Sequence, residues 1–156
     1  MNHKSKKGFT LIEVLIVIAI IGILAAVTIV AINPARQFAQ ARNSQRSSSV
    51  NTILNAVWQY AVDNNGNLPP PITALTANTM TEICRSGVAS STCSPLVDLT
   101  PLTDSELYLV EIPTDPLCPT NCAANGNGYW ISRSANNRIT VKASSSELGV
   151  VIQVTR

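Results

Sequence analysis

The first part of the chain contains a long, nearly uninterrupted apolar run. From Phe9 to Ile32 there are 24 residues, and the polar side chains among them are Thr10, Glu13 and Thr28. A helix of this length extends about 36 Å, enough to cross a hydrocarbon layer of about 30 Å. Because the run is apolar on every side, it predicts a helix that faces lipid or other helices rather than one globular core.

A cleaved secretory signal is the alternative interpretation of this run. Such a signal also follows basic residues, but its apolar region is about 7–15 residues long and precedes a small-residue cleavage site. The run here is longer, and Pro34 follows it closely. We therefore expect the run to be kept as an anchor.

Beyond Pro34 the apolar spacing becomes that of an amphipathic helix. The positions that follow the i, i+3, i+4, i+7 template are Val50, Ile53, Leu54, Val57 and Ala61. We assign the opposite, polar face to Arg36, Arg42, Arg46 and residues 47–49. Gly66, followed by the prolines at 69–71, predicts the end of this helix, with Gly66 available for a left-handed cap.

The remaining residues predict a loop and then a small sheet. Residues 66–106 lack periodicity, which indicates a connecting loop with a short helical turn near 77–83. The segments with strand composition or alternation are 107–112, 129–133, 138–143 and 149–155. Such alternation is typical of an antiparallel sheet with one face on a helix, and Asn136-Asn137 predicts a tight turn. The expected fold class is α+β: a long N-terminal helix packed against about four antiparallel strands.

The distribution of charge divides the chain into a basic N-terminal tip, an apolar anchor and a polar head. Charged residues make up 13% of the chain, below the roughly 25% of a typical soluble domain. Lys4, Lys6 and Lys7 precede Gly8, and without them 8 Lys+Arg face 9 Asp+Glu. The rest of the chain therefore has no basic patch that would indicate nucleic-acid binding. The lysines instead predict contact with anionic lipid on the cytoplasmic side. Three arginines also follow the run, so the charge count alone does not decide its orientation. The dense N-terminal cluster, together with the four cysteines of the C-terminal part, favours a cytoplasmic N-terminus and a head outside.

Glu13 is the exception within the apolar run. A carboxylate in a membrane span costs a few kcal/mol or more, and such residues are functional by default. One interpretation is that Glu13 lies near the interface and reaches out to water. The other begins from a cut after Gly8, which would give Phe9 a charged amine one turn from Glu13. That amine attracts a neighbouring subunit's Glu13 by about 4 kcal/mol at an effective dielectric of 20.

Residues 6–14, Lys-Lys-Gly-Phe-Thr-Leu-Ile-Glu-Val, resemble the processing site of type IV pilins and type II secretion pseudopilins. The shared features are a short basic leader, Gly8 before the cut, Phe9 after it and Glu13 at the fifth mature position. The resemblance implies cleavage between Gly8 and Phe9 by a prepilin peptidase, which also N-methylates Phe9. Phe9 and Glu13 would then carry assembly.

The resemblance also implies the organisation and partners of the chain. Residues 1–8 form the leader, 9–33 the transmembrane and filament-core helix, 34–65 its amphipathic half, and 66–156 the head, with a loop at 66–106 and the sheet at 107–156. Partners would be other pilin subunits, an assembly platform protein, its ATPase and the inner membrane. The subunit would wait in that membrane as a single-pass protein and then enter an extracellular pilus or periplasm-spanning filament.

Several alternatives remain open beside the pilus subunit. A pseudopilin of a type II secretion system or a DNA-uptake filament fits the same residues. A membrane-anchored binding domain that never polymerises would explain the helix, though not Gly8, Phe9 and Glu13. In the family, glycine and proline at places like Gly22 and Pro34 mark a stretch that unwinds on assembly, whereas a proline kink is the simpler interpretation.

The four cysteines, Cys84, Cys93, Cys118 and Cys122, all follow the apolar run. Four cysteines allow three pairings, and chain proximity favours Cys84 with Cys93 and Cys118 with Cys122. A zinc site is the alternative, although the spacing does not match the usual knuckles. Many pilins hold the last strand with a disulfide, but no cysteine follows Cys122 here.

Other candidate chemistry is sparse. Asp115 and the oxygen-rich segment 121–128 lie where some pseudopilins bind calcium, with a turn-rich loop as the alternative. The single histidine, His3, belongs to the leader, so the mature chain has none for a Ser-His-Asp arrangement. Asp104, Glu106 and Glu111 have no neighbours in sequence that would tune them as an acid pair. We expect a structural subunit with no enzymatic activity, cofactor or metal.

Overall fold

The computed structural model describes residues 8–156. The leader lysines, and the lipid contact predicted for them, lie outside the described residues. The chain divides into two compact units, one ending at Phe38 and one comprising Ala39–Arg156.

Helix α1 comprises Leu11–Ile32 and contains most of the apolar run. Thr10 caps its N-terminus, because the Thr10 Oγ1 atom accepts a hydrogen bond from the Glu13 N–H at 3.3 Å. Within it, Leu11–Ile29 is long and apolar enough to cross a membrane. This length and composition agree with the helix predicted from sequence.

Helix α2 comprises Pro34–Asp63, and Asn33 separates it from α1. Asn33 adopts a left-handed conformation with φ +46°, and its Oδ1 atom accepts a hydrogen bond from the Arg36 N–H at 3.3 Å. Proline is well suited to the first turn of a helix, where its missing N–H breaks no bond. The long helix expected from sequence is therefore interrupted at Asn33, and Pro34 begins the second segment.

The end of α2 is closed by a left-handed turn. Asn65 and Gly66 have φ values of +57° and +86°, and the Gly66 N–H donates to the Ala61 carbonyl at 2.7 Å. This six-to-one bond is that of a Schellman cap. The predicted helix end is confirmed. The left-handed conformation expected of Gly66 is adopted by both Asn65 and Gly66.

The apolar stripe of α2 forms one wall of the core. Its five predicted members are at most 2% exposed: Val50, Ile53, Leu54, Val57 and Ala61. They pack with sheet residues such as Tyr129, Ile131 and Val141. The helical spacing therefore identified this part of the core correctly.

A four-stranded antiparallel sheet in the order β1-β2-β3-β4 forms the other wall. The strands are β1 Thr81–Cys84, β2 Gly126–Arg133, β3 Ile139–Ala143 and β4 Gln153–Thr155. Between β1 and β2 lie α4 Ser90–Cys93, α5 Thr100–Thr103 and a 3₁₀ turn at Asp104–Glu106, while α3 Pro70–Thr73 precedes β1. The expected α+β class is confirmed.

Three of the four predicted strands occur close to their expected places, but the first prediction is wrong. Residues 107–112 form no strand, because Ser105 and Glu106 both adopt left-handed conformations and Pro113 follows. The position beside β2 is taken by Thr81–Cys84, from the segment assigned to a loop and a helical turn. The sheet therefore begins before residue 107.

The connection between β2 and β3 is the tight turn predicted at Asn136-Asn137. Asn137 has φ +59°, and its N–H donates to the Ser134 carbonyl at 3.0 Å. Asparagine tolerates this left-handed conformation better than most residues. The turn sets the register in which Ile131 lies opposite Val141.

Candidate assembly site and the ion pairs of the head

Phe9 and Glu13 lie side by side at the start of α1. With Val14 and Val17 they line a surface hollow of about 280 Å³. The Phe9 side chain is 84% exposed, and Glu13 is exposed as well. Phe9 directly precedes the Thr10 cap and Glu13 is the third residue of α1, so both lie at the N-terminal end of the helix. The structure therefore brings together the two residues expected to carry assembly.

The apolar surface of α1 is uncovered in the single chain. Between Leu11 and Ile29 its large apolar side chains are 48% to 79% exposed. Soluble monomers rarely show contiguous apolar patches above a few hundred Å², and larger ones mark a membrane or protein interface. This surface needs a partner, either lipid or other helices.

Gly8 and Gly22 are not required by the packing of the described residues. A Cβ atom built at either position would have no heavy atom within 4 Å. Neither glycine has a positive φ. Residues 8–156 therefore give no structural reason for glycine at either place.

In the second unit, an ion pair joins α2 to the loop before β2. The Arg46 Nε and Nη2 atoms donate to the two Asp115 carboxylate oxygens at 2.6 and 3.1 Å. Both side chains are 0% exposed. Hydrogen bonding to Asp115, opposed by burial, raises the pKa of Arg46. Such a bidentate pair is strong only while both partners are present.

Glu147 extends this ion pair to the connection between β3 and β4. Its carboxylate accepts from Arg42 at 2.6 and 2.7 Å and from Arg46 at 2.8 Å. These hydrogen bonds, first from Arg42 and then from Arg46, lower the pKa of Glu147 to about 2. The Asn43 side chain also bonds the Glu147 backbone through both its oxygen and its nitrogen. The C-terminal part of the sheet is thus fastened to α2 without a disulfide.

The sequence assignment of Arg46 and Ser49 to the polar face is wrong. Arg46 is fully buried and Ser49 is 9% exposed. A helical pattern places an arginine outside by default, and the partners that permit its burial lie 69 and 101 residues further along the chain. No local signal in the sequence identifies them.

Both oxygens of the Asp115 carboxylate accept hydrogen bonds from Arg46. Besides Arg46, its Oδ1 atom accepts from the Leu117 N–H at 2.8 Å. Among the described residues, no group of three or more His, Cys, Asp and Glu side chains is arranged to hold a metal ion. Segment 121–128 contains no Asp or Glu, and its calcium interpretation stays a prediction.

All four cysteines are in disulfides. Cys84 pairs with Cys93 and Cys118 pairs with Cys122, at Cα–Cα distances of 5.7 and 5.5 Å. This is the pairing that chain proximity favoured, and it excludes the zinc alternative. Each bond closes a short loop, one beside β1 and one before β2.

Glu82 is a buried carboxylate that the sequence analysis missed. It is 6% exposed and accepts hydrogen bonds from the backbone N–H groups of Ala123 and Gly128, at 3.2 and 2.9 Å. A Cβ at Gly126 would clash with this carboxylate, and one at Gly128 would lie 2.6 Å from the Asp115 Cβ. Both glycines in the short Gly126-Asn127-Gly128 sequence thus accommodate acidic side chains from elsewhere in the fold.

Comparisons with known proteins agree with this geometry. Residues 3–29 match the family model of the prokaryotic N-terminal methylation motif. The chain is 45% identical over 62 residues to the type IV wide pilus major component PilA4 of Thermus thermophilus. That alignment covers 40% of this chain and 46% of the relative, so less than half of the relative's length is spanned. No solved structure matches the chain.

The chain thus combines an apolar helix, the N-terminal methylation motif and a small antiparallel sheet. In these features, and over the aligned part of its length, it is similar to a type IV pilin. The family resemblance drawn from residues 6–14 is confirmed.

Proposed function

We propose that the chain is a structural subunit of a type IV pilus or a closely related filament. The observation that carries this proposal is the exposed Phe9 and Glu13 pair at the start of an uncovered apolar helix. The methylation motif over the same residues supports it. The relative's name describes a pilus component, which favours a pilus over secretion or DNA uptake.

Before assembly, α1 holds the subunit in the inner membrane with the head outside. The support for this step is the apolar segment Leu11–Ile29, whose length suits one bilayer crossing. Glu13 lies near one end of that segment, within one turn of the helix start. A carboxylate near the end of a span is tolerated more readily than one at its centre.

A prepilin peptidase cuts between Gly8 and Phe9 and methylates the new amine of Phe9. The packing of the described residues gives no reason for a glycine at position 8, which is consistent with a requirement set by the peptidase. The Phe9 amine of one subunit then pairs with Glu13 of its neighbour as the α1 helices pack together. The α1 surface then exchanges its contacts with lipid for contacts with other α1 helices. The Glu13 carboxylate gains a positively charged partner in surroundings of low dielectric constant.

N-terminal mass analysis of protein from cells that carry the peptidase tests the processing step. The expected mature chain begins at methylated Phe9. A chain that still begins at Met1 in such cells would refute the pilin assignment. The Gly8→Leu variant gives a second test of the processing step. Its cleavage should be blocked while the Ala39–Arg156 unit stays folded.

Substitution of Glu13 tests the assembly step. Glu13→Ala should be processed and found in the membrane, yet form few or no filaments by electron microscopy. Thr28→Ala is the matched control, since the Thr28 hydroxyl bonds only to the Ala25 carbonyl of its own helix, at 2.9 Å. Undiminished filaments from Glu13→Ala would rule out the pairing. A wild-type chain that stays in the membrane without filaments would instead support the anchored binding domain.

A further inference from the structure

The chain has three tyrosines, and two of them lie against each other in the head. The rings of Tyr60 and Tyr108 pack at a centroid distance of 5.5 Å, with an angle of 59° between their planes. This distance lies within the range of packed aromatic pairs. Tyr60 belongs to the end of α2 and Tyr108 to the loop after the 3₁₀ turn, so the fold joins residues that are 48 positions apart in the sequence.

The backbone around each ring is fixed by hydrogen bonds. The Tyr60 carbonyl accepts from the Asn64 N–H at 3.0 Å and from the Asn64 side-chain amide at 2.8 Å. The Leu109 N–H, directly after Tyr108, donates to the Leu102 carbonyl at 3.0 Å. Both tyrosines also pack against the core of the head. The ring contact is therefore set by the fold and not by two freely moving side chains.

The three tyrosines differ in their access to solvent. Tyr60 and Tyr108 are each partly exposed, whereas Tyr129 is 0% exposed within the core. A reagent in solution can therefore reach the two packed rings but not the third. Partly exposed side chains also rotate on a picosecond-to-nanosecond timescale, which lets the two rings sample closer approaches without unfolding.

The Asp63 carboxylate lies close to the Tyr108 phenol. Burial, together with the negative charge of Asp63 and a hydrogen bond to it, raises the pKa of Tyr108. A phenol that gives up an electron also gives up its proton, and a carboxylate within hydrogen-bond reach can act as the base that takes it. The structure thus supplies a proton acceptor beside one of the two rings.

We propose that Tyr60 and Tyr108 form a site of oxidative cross-linking, at which peroxide and a haem peroxidase couple the two rings into dityrosine. Each phenol gives one electron to the oxidant and loses its proton. The two phenoxyl radicals then form a carbon–carbon bond between ring positions next to the oxygen-bearing carbons. The hydrogens on the joined carbons move to the oxygens, which restores both phenols. Peroxide takes up the two electrons and two protons and becomes two molecules of water.

The cross-link would join the end of α2 covalently to the loop at 107–112. It spans 48 positions, whereas the disulfides span 9 and 4. Closing a longer loop removes more entropy from the unfolded chain, so the Tm of the Ala39–Arg156 unit should rise by at least about 5 °C. The inference goes beyond filament assembly, because both rings belong to one chain.

Treatment of the full-length chain in detergent with peroxide and a haem peroxidase tests the site. The expected product stays monomeric on denaturing gels, shows the fluorescence of dityrosine and is lighter by two hydrogen atoms. Trypsin gives the peptides 47–85 and 86–133, which should remain joined after the disulfides are reduced. Reduction must come first, because the Cys84–Cys93 disulfide links the same two peptides.

Conservative substitutions locate the bond. Tyr60→Phe and Tyr108→Phe should each abolish the joined peptides, since phenylalanine has no phenolic hydrogen to lose. Tyr129→Phe is the matched control and should retain them, because Tyr129 shares its peptide with Tyr108 but is buried. Asp63→Asn should slow the appearance of the fluorescence several-fold. An unchanged rate would refute the role of its carboxylate as the proton acceptor.

The products formed by the parent chain decide the proposal. Dityrosine within one chain, placed at Tyr60 and Tyr108 by fragmentation of the joined peptides, would support it. Products joined only between chains, or rings that are oxidised without coupling, would overturn it. A joined pair that survives Tyr60→Phe or Tyr108→Phe would overturn it as well. None of these results depends on whether the chain forms filaments, so the pilus proposal is tested separately by Glu13→Ala.

Discussion

Asp115→Asn is the sharpest perturbation of the head, because it removes a charge while preserving shape. Asp115 and Arg46 are both 0% exposed and share two hydrogen bonds. Removing one partner of a buried ion pair costs about 3–5 kcal/mol, since the other charge stays buried without compensation. Arg46 keeps Asn43 and Glu147 as acceptors, which places the expected loss near the lower end, at about 3 kcal/mol.

Urea unfolding of the full-length chain in detergent measures this loss. The two tryptophans, Trp58 and Trp130, both belong to the Ala39–Arg156 unit, so their fluorescence reports its unfolding. With an m value of about 1–3 kcal/mol/M, the midpoint should fall by roughly 1–3 M urea. Combining Arg46→Met with Asp115→Asn should cost less than the two single losses added together.

Asp98→Asn is the matched control for this experiment. Asp98 accepts the Thr100 N–H at 2.9 Å, just as Asp115 accepts the Leu117 N–H at 2.8 Å, two residues on in each case. No ion pair joins Asp98 to an arginine or lysine among residues 8–156. Its substitution should therefore change the midpoint little. If Asp115→Asn shifts the midpoint no further than Asp98→Asn, the buried ion pair does not stabilise the head.

Three further predictions concern the same unit. The pKa of Glu147 is lowered from 4.5 to about 2, so its stabilising effect is complete above pH 4.5 and is lost as the pH falls toward 2. Glu147→Gln should therefore flatten the dependence of the unfolding free energy on pH in this acid range. An unchanged pH dependence would contradict the partners assigned to Glu147. Replacing both cysteines of either disulfide by alanine should cost about 2–3 kcal/mol by chain entropy, slightly more for Cys84–Cys93 because its loop is longer; thermal melts with and without reductant check this. Gly128→Ala should destabilise the head by at least about 1 kcal/mol, because Gly128 has φ +84° and a Cβ would meet Asp115, whereas Gly87→Ala, with φ +79° and open space, isolates the backbone contribution.

The parts of the fold that follow a periodic pattern could be predicted from sequence. The stripe from Val50 to Ala61, the strands near 129–133 and 138–143 and the stop at Gly66 each depend on near neighbours in the chain. Strand β1 could not be predicted, because it has only four residues and one of them is the carboxylate Glu82. Burial of that carboxylate depends on backbone N–H groups more than 40 residues away.

The same distinction applies to the candidate sites. Phe9 and Glu13 are only four residues apart, so an assignment of where the helix begins is enough to place them near one another. Arg46 illustrates the opposite case, since its position on the helix was correct but its burial depends on Asp115 and Glu147. Residues 107–112 show a third case: their composition favours a strand, but the chain reverses at Ser105 and Glu106, and the place beside β2 is filled by another segment.

The hydrogen bonds between Glu147 and α2 affect the conditions under which the last strand of the head can dock. The two disulfides join residues 9 and 4 positions apart, whereas Arg42 and Glu147 are 105 positions apart. The side-chain contacts that join the connection between β3 and β4 to α2 are thus ionic and long-range, and the disulfide bonds are both local. The last strand can therefore dock before any thiol is oxidised and remain docked in a reducing environment. Salt and acid, rather than thiol reagents, are the conditions that should release it.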